Sequence, residues 1–484
     1  LKLPLSVFWR VSPRSVAMAS APAHAAALAE GHLWVGRGAG AAMLRVGACL
    51  AWLLPSASEA TMCPFDKGFG TSAQLEVVAG DLGRQGGIAS SGPYGALSLL
   101  RSPRGVVVDP VAGRVYIADS GNHVVRSIGL QALSFASPVK AETVAGTLGR
   151  PGSEGDFGLA QEARLRDPHG LVLDVAARKL YIADAGNHAV RLVDLVSGSI
   201  VTVAGVVGSP GSAGDRGRSM KAQLNFPTGL ALDTQLQRLY VADSQNHAIR
   251  VVDLTKGVIA TIAGELGVAG SSDNGPSMAA KLNTPFGIAL DSRGFLYVTD
   301  SGNHAVRRFE LAEGEITRQS ADAANCRCTL AVRTVAGTVG HMALPAMPSI
   351  GGRPSARGGA GRTSRDRGPA LAARLRNPSG LALDEDADVL YIADASRPVV
   401  LRLHLASGNL TTAVSRPGYW DQRSEHAGAV GLALDLEGGA LYLAEALGHV
   451  VRRLEVGVNA STQSNDECLP DERTFRSTAA KPLA

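Results

Sequence analysis

The sequence is short of aromatic residues, which make up only 5% of its 484 residues, and it has no long apolar run. The apolar run Val46–Leu54 covers nine residues, whereas a helix needs about 20 to cross a bilayer. The scarcity of aromatic residues, together with 57 glycines, argues against a helix-rich enzyme core and for many tight turns. With 45% hydrophobic and 19% charged residues, the chain has the composition of a folded, all-β repeat protein.

The chain also lacks a charge imbalance and the short motifs of common enzymes. Beyond residue 60, basic and acidic residues are almost equal in number, so no general attraction to a phosphate backbone is expected. GxSxG, HExxH, P-loop and CxxC sequences are absent, and no cofactor is expected. The sequence therefore favours a protein or peptide partner over nucleic acid.

Cysteine is scarce as well, with five in the chain. Residues 43–60 have the basic start, short apolar run and small-residue end of a secretory signal peptide. We therefore expect the mature chain to begin near Thr61 and to be secreted or held in the secretory-pathway lumen; a cytoplasmic or organellar location is the alternative. Glycosylation sequons at Asn409 and Asn459, and the even number of cysteines after cleavage, favour the secretory route.

One phrase recurs through the chain with small changes. Residues 116–126 read YIADSGNHVVR, and the same pattern returns at 181–191, 240–250 and 297–307. A larger unit surrounds each copy: a Pro-x-Gly lead-in, an alternating strand that ends in aspartate, the phrase itself, and a strand containing TVAG or TIAG. Period-two alternation broken by Gly, Asn and Asp predicts antiparallel hairpins, with four strands per unit.

Six such units predict an all-β fold, a six-bladed β-propeller spanning residues 75–456. The sixth unit lacks its fourth strand, whereas an orphan copy, LEVVAG at 75–80, precedes the first unit. Placing that copy as the outer strand of the sixth blade closes the ring. The other segments are expected to be an upstream extension without fixed structure, a signal peptide, a linker and a C-terminal tail: residues 1–42, 43–60, 61–74 and 457–484.

The Pro-x-Gly-ϕ-Ala-ϕ-Asp lead-in, the Tyr-Ile-Ala-Asp strand and the Asn-His-x-ϕ-Arg continuation resemble NHL repeats. The resemblance covers nearly all of 75–456 and implies a propeller, often a six-bladed one. It does not specify one function, because similar propellers serve as protein scaffolds, RNA readers, receptor sensor domains and lyases. We expect a non-enzymatic interaction scaffold; a metal-dependent propeller enzyme of the lyase or lactonase type is the alternative.

The aspartate, histidine and arginine of the phrase recur around the ring, which favours structural roles. The aspartates that end the first and second strands are expected to accept turn amides. The histidines are expected to make turn or inter-blade hydrogen bonds, because equivalent positions around a ring lie too far apart to share an ion whose ligands sit about 2 Å away. The arginines are expected to form inter-blade ion pairs or to lie along blade surfaces.

Function is expected at positions where the surrounding motif recurs but the residue itself varies. The middle residue of Pro-x-Gly is such a position. These residues precede the innermost strands and are expected to line one mouth of the central channel as a ligand-binding surface; the alternative is an unselected solvent position. They are Arg104, His169, Thr228, Phe286, Ser379 and, at the matching site of the sixth unit, Val430. Among them His169 is the one obvious metal ligand and no carboxylate is expected beside it, so no catalytic or metal-binding residue is assigned.

Two further expectations concern segments outside the blades. Cys63 and Cys468 lie twelve residues beyond the two strands of the predicted seam, at the same end of blade 6, and are expected to form a disulfide; reduced cysteines in a cytosolic protein are the alternative. Segment 351–368 is rich in Gly, Ser and Arg and is predicted to be disordered, either as a plain insertion or as a site for an acidic partner.

Overall fold

The computed structural model describes residues 75–80, 99–130, 141–272, 279–311, 329–340, 368–397, 399–415 and 428–456. These ranges contain β-strands and single 3-10 turns, and the strands form six separate antiparallel sheets. No helix within them is long and apolar enough to cross a membrane. The all-β fold expected from the repeats is confirmed.

Each sheet is one propeller blade, and the first strands of the six blades contact one another in a ring around the central axis. The chain begins with β1 (Leu75–Gly80). Blade 1 comprises β2 (Gly105–Asp109), β3 (Arg114–Asp119), β4 (Val124–Gly129) and β5 (Glu142–Ala145); blade 2 comprises β6 (Pro168–Asp174), β7 (Lys179–Asp184), β8 (Ala189–Asp194) and β9 (Ile200–Ala204). Blade 3 comprises β10 (Pro227–Asp233), β11 (Arg238–Asp243), β12 (Ala248–Asp253) and β13 (Val258–Ala263); blade 4 comprises β14 (Pro285–Leu290), β15 (Phe295–Asp300), β16 (Ala305–Leu311) and β17 (Thr329–Gly337). Blade 5 comprises β18 (Gly368–Pro369), β19 (Pro378–Asp384), β20 (Val389–Asp394), β21 (Val399–His404) and β22 (Asn409–Ser415); blade 6 comprises β23 (Gly431–Asp435), β24 (Ala440–Glu445), β25 (Val450–Glu455) and β1.

The aspartate that ends each first strand organises the turn that follows. Asp109 Oδ1 accepts the backbone N–H of Ala112 at 2.9 Å, and Asp435 Oδ1 accepts that of Gly438 at 2.8 Å. A carboxylate that accepts turn amides stabilises the reversal of the chain between two strands. The predicted role of these aspartates is confirmed, since the equivalent bonds occur at Asp174, Asp233, Asp291 and Asp384.

The glycine of Pro-x-Gly is required because adjacent blades touch there through their backbones. A Cβ on Gly229 would lie 2.2 Å from the Phe286 carbonyl oxygen of the next blade, and one on Gly431 would lie 2.2 Å from that of Arg104. The second of these contacts joins blade 6 to blade 1. Equivalent contacts occur at Gly105, Gly170, Gly287 and Gly380, so the six inner strands form a closed ring.

The N-terminal strand closes the sixth blade. Strand β1 pairs antiparallel with β25, from Leu75 opposite Leu454 to Gly80 opposite Val450. Val78 of β1 is buried in a cluster that blades 6 and 1 share. The predicted closure by the LEVVAG strand is therefore confirmed, and the two ends of the propeller are held in one sheet.

The hydrophobic core is divided among the interfaces between blades. Between blades 3 and 4, for example, Tyr240 and Ile249 of one blade pack with Leu296 and Phe309 of the next. Each of the six interfaces has a buried cluster of this kind. Full burial of a large apolar side chain contributes about 1.5–3 kcal/mol, so each blade depends on its neighbours for most of its stability.

The outer edges of blades 2, 3 and 5 are partly covered by the segment that leads into the same blade. The N–H of Phe157 donates to the Ile200 carbonyl at 2.8 Å, and the N–H of Arg216 donates to that of Ile259 at 2.8 Å. In blade 5 the covering segment is strand β18, which pairs with β22. This pairing reduces the number of unpaired edge groups that could template aggregation. The segment predicted to be disordered thus ends in a strand residue, Gly368, and its residues 351–367 lie outside the described ranges.

Candidate functional site

The histidines of the repeated phrase join neighbouring blades. His188 ends a 3-10 turn in the left-handed conformation, at φ 57°, and its Nδ1 accepts the N–H of Phe226 of the next blade at 3.1 Å. His449 Nδ1 accepts the N–H of Ser102 at 3.0 Å, which links blade 6 to blade 1. Burial lowers the pKa of both histidines. His123 and His247 accept from Asp167 and Thr284, and His304 Nδ1 contacts the Arg376 carbonyl. The expected structural role is confirmed.

The aspartate and arginine of the phrase form a buried ion pair within one blade. In blade 3 the Arg250 guanidinium lies 3.1 Å from the Asp243 carboxylate, and neither side chain is exposed. Asp243 also accepts the N–H of Asn225 and the side-chain amide of Asn246. Burial raises the pKa of Asp243 to about 6. Equivalent pairs are Asp119–Arg126, Asp184–Arg191, Asp300–Arg307 and Glu445–Arg452.

The expectation that these arginines lie on blade surfaces or pair between blades is wrong. Arg250 is opposite Val241 in the ladder, two residues from Asp243, so the two side chains share one face of the sheet. The aspartates that end the second strands are structural, as expected, but their backbone partner lies in the segment before the first strand rather than in the next turn.

Two further aspartates complete these ion pairs, and the sequence alone did not indicate their role. Asp156 Oδ1 lies 2.7 Å from Arg191 Nη2, and Asp215 Oδ1 lies 3.0 Å from Arg250 Nη2. Both lie in the segments that cover the outer strands. The available signal is a Gly-Asp-x-Gly motif placed 35 residues before the arginine in both blades.

The structure brings the six variable Pro-x-Gly residues into one ring, which we call the mouth ring, because each of their carbonyls faces a glycine of the preceding blade. His169, Thr228 and Ser379 are buried, at 2% exposure, whereas Arg104, Phe286 and Val430 are half-buried. The buried members are not free solvent positions, so that alternative is wrong for them. Thr228 Oγ1 lies 2.6 Å from Ser244 Oγ, and Ser379 Oγ donates to the Ala429 carbonyl at 3.1 Å.

Five side chains from blades 1 to 4 meet at the mouth ring and are called the mouth cluster: Arg104, Asp167, His169, Phe226 and Phe286. His169 Nε2 lies 3.3 Å from Asp167 Oδ2, and Arg104 Nε lies 3.7 Å from Asp167 Oδ1. The Phe226 ring meets the His169 ring edge-on at 5.1 Å between centroids, and the Phe286 ring is tilted against it at 5.8 Å. The cluster therefore brings an acid, a base and a cation together, and two aromatic rings contact the base.

The protonation state of the mouth cluster follows from its burial and its charges. Burial lowers the pKa of His169, so the ring is neutral at pH 7. Burial opposes ionisation of Asp167, but its hydrogen bond to His169 and the positive charge of Arg104 help to lower its pKa. A neutral imidazole that donates Nε2–H to Asp167 carries its lone pair on Nδ1. Within the described ranges, His169 Nδ1 and Arg104 Nε are buried and have no hydrogen-bond partner.

Asp167 corrects the expectation that no carboxylate lies beside His169. It was missed because it precedes the proline of the lead-in, where the residue differs between blades; Phe226 occupies the same place in blade 3. His and Asp are both possible metal ligands, but in the part of the chain that the structure describes no three His, Cys, Asp or Glu side chains converge. Among these residues the cluster is better suited to hydrogen bonding than to holding an ion.

The remaining predicted sites are placed only in part. Asn409 is exposed at the start of β22. Asn459, Cys63, Cys468 and segment 43–60 lie outside the described ranges, and their predicted roles stay predictions.

Comparison with known proteins agrees with this architecture. Residues 100–126 match the NHL repeat family, and residues 209–332 match the SMP-30/Gluconolactonase/LRE-like region. Human NHL repeat-containing protein 2 is 28% identical over 340 residues, which cover 65% of this chain and 39% of that protein. Protein SUPPRESSOR OF QUENCHING 1, chloroplastic, of Arabidopsis thaliana is 29% identical over 251 residues, which cover 50% of this chain and 22% of that protein. The matched region thus spans well under half the length of these curated relatives.

A solved structure supports the fold independently of sequence. A protein of unknown function from Bacteroides thetaiotaomicron superposes with a TM-score of 0.51 at 15% identity, covering 79% of this chain and 75% of that one. Six blades built from the Pro-x-Gly lead-in and the Asn-His-x-ϕ-Arg phrase, together with the repeat match and the relatives, give one conclusion: the chain forms a β-propeller of the NHL type.

Proposed function

We propose that this propeller is a non-enzymatic interaction module that binds a protein or peptide partner on the face carrying the mouth ring. The proposal rests on a difference between two sets of residues: those that recur in the blades have structural roles, whereas those at the mouth vary. The aspartates and arginines of the phrase form buried ion pairs, and its histidines make hydrogen bonds between blades. The mouth cluster, in contrast, is made from positions that differ from blade to blade.

The outward part of the mouth ring has the chemistry of a binding hot spot. Arg104 and Phe286 are half-buried, so they are held by their surroundings while still reaching the surface. Arginine and large aromatic residues carry a disproportionate share of the binding free energy in protein interfaces. The nearly balanced charge of the chain fits a specific partner better than a polyanion.

The test is capture of partners by the full chain and by two matched triple variants. The mouth variant carries Arg104→Ala, His169→Ala and Phe286→Ala. The control variant changes three apolar residues in turns at the opposite ends of the strands, Val111→Ala, Val196→Ala and Leu236→Ala, which are 78%, 80% and 48% exposed. Because His169 is buried, the fold of each variant is checked by circular dichroism and thermal unfolding.

Specific partners are defined by quantitative mass spectrometry against a bait-free control. We expect the mouth variant to lose them and the control variant to keep them. A folded mouth variant that keeps every specific partner would contradict it. Arg104→Glu alone provides a second test, since it reverses one half-exposed charge and leaves His169 in place.

A metal-dependent propeller enzyme is the second candidate, and two observations favour it. Residues 209–332 match the SMP-30/Gluconolactonase/LRE-like region, and Asp167 lies beside His169 at the mouth. The test is elemental analysis of the purified full chain: stoichiometric calcium or zinc that is lost together with Asp167→Asn would favour the enzyme over the scaffold.

The proposal includes passage through the secretory pathway. The exposed position of Asn409 supports it, because N-linked oligosaccharides are attached to surface asparagines. Expression in a secreting eukaryotic cell, followed by N-terminal sequencing and glycosidase treatment, tests this part. Retention of an unmodified chain in the cytosol would contradict it.

A further inference from the structure

We infer that two arginines in the outer half of blade 4, Arg308 and Arg333, bind a phosphate group, either inorganic phosphate or a phosphate monoester. We call them the arginine pair. They lie on the third strand and the outer strand of the blade, at the rim of the propeller. The inference is independent of the mouth ring and rests on an arrangement of charge that the other blades do not share.

The two arginines face each other across neighbouring strands. Arg308 of β16 is directly opposite Arg333 of β17 in the antiparallel ladder. Directly opposed residues have Cβ atoms about 4.5–5.5 Å apart and side chains on the same face of the sheet, and like charges placed there destabilise the strand pairing. Arg333 is exposed and Arg308 is half-buried, so a solute can reach the pair from solvent.

The part of the chain that the structure describes does not neutralise the arginine pair. Neither guanidinium forms an ion pair with a carboxylate there. Glu310 follows Arg308 by two residues on the same face of the strand and is exposed, but it does not reach ion-pair distance of that arginine. Two positive charges are therefore available to an anion.

Phe295 orients one member of the pair. The Arg308 guanidinium lies over the Phe295 ring, with Cζ 4.4 Å from the ring centroid. Stacking on an aromatic face restrains the guanidinium and leaves the N–H groups at its edge able to donate. Arg293 also contacts this ring, at 5.7 Å, but it is already paired with Asp291 at 2.9 Å. Restraint of Arg308 before an anion arrives reduces the entropy that binding costs.

The same ladder position in the other five blades has no second arginine. In blade 6 the equivalent residue, Arg453, is opposite Glu76, and in blade 5 Arg402 is opposite Thr411. The pairs in blades 1, 2 and 3 are Ser127–Glu142, Leu192–Val201 and Val251–Ala260. Two arginines oppose each other at this position in blade 4 alone, so the repeat itself does not account for them. An anion held between them would offset their repulsion.

The geometry of a phosphate group suits this pair better than that of a carboxylate. Each guanidinium can donate two parallel hydrogen bonds to one oxyanion. The oxygens of a tetrahedral phosphate point in several directions, so it can accept from both arginines at once. Its charge of about −1.5 to −2 at neutral pH also matches the two positive charges, whereas a carboxylate carries a single charge on two coplanar oxygens.

The test is titration of the full chain, labelled with ¹⁵N-arginine, with inorganic phosphate, O-phosphoserine and acetate. Sodium chloride keeps the ionic strength constant, so that general screening does not imitate binding. We expect the Nε–H resonances of Arg308 and Arg333 to shift and saturate with both phosphate probes, and acetate to bind about fivefold more weakly or less. Tighter binding of inorganic phosphate would identify the free ion as the ligand, and tighter binding of O-phosphoserine would identify an ester.

Substitutions at equivalent ladder positions separate the pair from general positive charge. Arg308→Gln and Arg333→Gln should each weaken phosphate about fivefold or more. Arg402→Gln, which removes the equivalent arginine of blade 5, should leave phosphate binding unchanged. Arg333→Glu gives blade 4 the arginine–glutamate order of blade 6. It should abolish phosphate binding and raise the midpoint of thermal unfolding in phosphate-free buffer, because a repulsive pair becomes an attractive one.

Several outcomes overturn the inference. They are the absence of saturable shifts at constant ionic strength, acetate binding as tight as phosphate binding, unchanged phosphate binding in Arg333→Gln, an equal loss in Arg402→Gln, and a lower thermal midpoint in Arg333→Glu. The resonance shifts are measured on the unmodified protein, so a variant that folds poorly does not protect the inference from refutation.

Discussion

Removal of one member of the buried ion pair in blade 3 tests whether the repeated phrase is structural. In Arg250→Met the carboxylate of Asp243 stays at 0% exposure without its guanidinium partner. Breaking a buried pair in this way costs about 3–5 kcal/mol, because it leaves an uncompensated charge. The free energy of unfolding should fall by that amount at pH 7.5, measured by urea denaturation followed by circular dichroism.

A pair with a half-exposed lysine in the same blade provides the control. Lys256 lies 3.9 Å from Asp253 and its side chain is 45% exposed; the Asp253 side chain is only 8% exposed, but it also accepts the N–H groups of Thr255 and Lys256. Exposed pairs are screened by solvent and contribute at most about 1 kcal/mol, so Lys256→Ala should stay within that range. The double variant Asp243→Asn with Arg250→Met should lose less stability than Arg250→Met alone, since no charge is then buried.

The stability loss of Arg250→Met should also change with pH in a defined direction, which provides an independent test. Burial raises the pKa of Asp243 to about 6, while the attraction to Arg250 opposes that rise; loss of the arginine raises the pKa further. An acid whose pKa is higher in the folded than in the unfolded state stabilises the fold as the pH falls through the folded pKa. The deficit of Arg250→Met should therefore be smaller near pH 5 than at pH 7.5. A deficit under about 1 kcal/mol at pH 7.5, or one that grows in acid, would refute the structural reading.

Three further predictions concern the seam, the histidines and the cysteines. Deletion of Leu75–Gly80 leaves an unpaired edge on blade 6 and should produce aggregation measurable by light scattering; a deletion variant as soluble and heat-stable as the parent would contradict the closure. Because burial lowers the pKa of His247, stability from its neutral ring is lost as the pH falls below about 6.5. His247→Asn, which tolerates the left-handed backbone, should thus lose less stability than the parent between pH 7.5 and 5.5, and an equal loss would count against the bond. Secreted protein should begin near Thr61 and yield a Cys63–Cys468 peptide on non-reducing mapping, and a free Cys63 would rule that pairing out.

The features of the fold that recur in each repeat could be predicted from the sequence. The closing strand could be predicted because LEVVAG repeats the outer-strand pattern, and the turn aspartates because all six units share them. The burial of Arg250 could not be read from the phrase, since alternation along a strand does not say whether a charged side chain finds a partner on the same face. The ion pair of Asp156 with Arg191 was not predicted because Asp156 lies in a connecting segment, although the same spacing between aspartate and arginine occurs in the next blade.

The position of the mouth residues could be predicted from the sequence, but their burial and their contacts with one another could not. The position of His169 followed from its place in the lead-in, whereas its burial depends on the rings of Phe226 and Phe286, which come from two other blades. Its partner Asp167 precedes a proline at a position with no common residue type among the repeats. Such convergence is set by the closure of the ring and leaves no periodic signal in the chain.

Site-specific photo-cross-linking tests the central claim, that a partner docks on the mouth face, most directly. A photoreactive phenylalanine analogue replaces Phe286 in one protein and Leu236, in the turn at the opposite end of the first strand, in another. Each protein is illuminated with partner-containing secreted material and analysed by mass spectrometry. A discrete cross-linked partner is expected from position 286; it should be absent from position 236 and be lost when Arg104→Glu is added. Equal or stronger cross-linking from position 236 would contradict it.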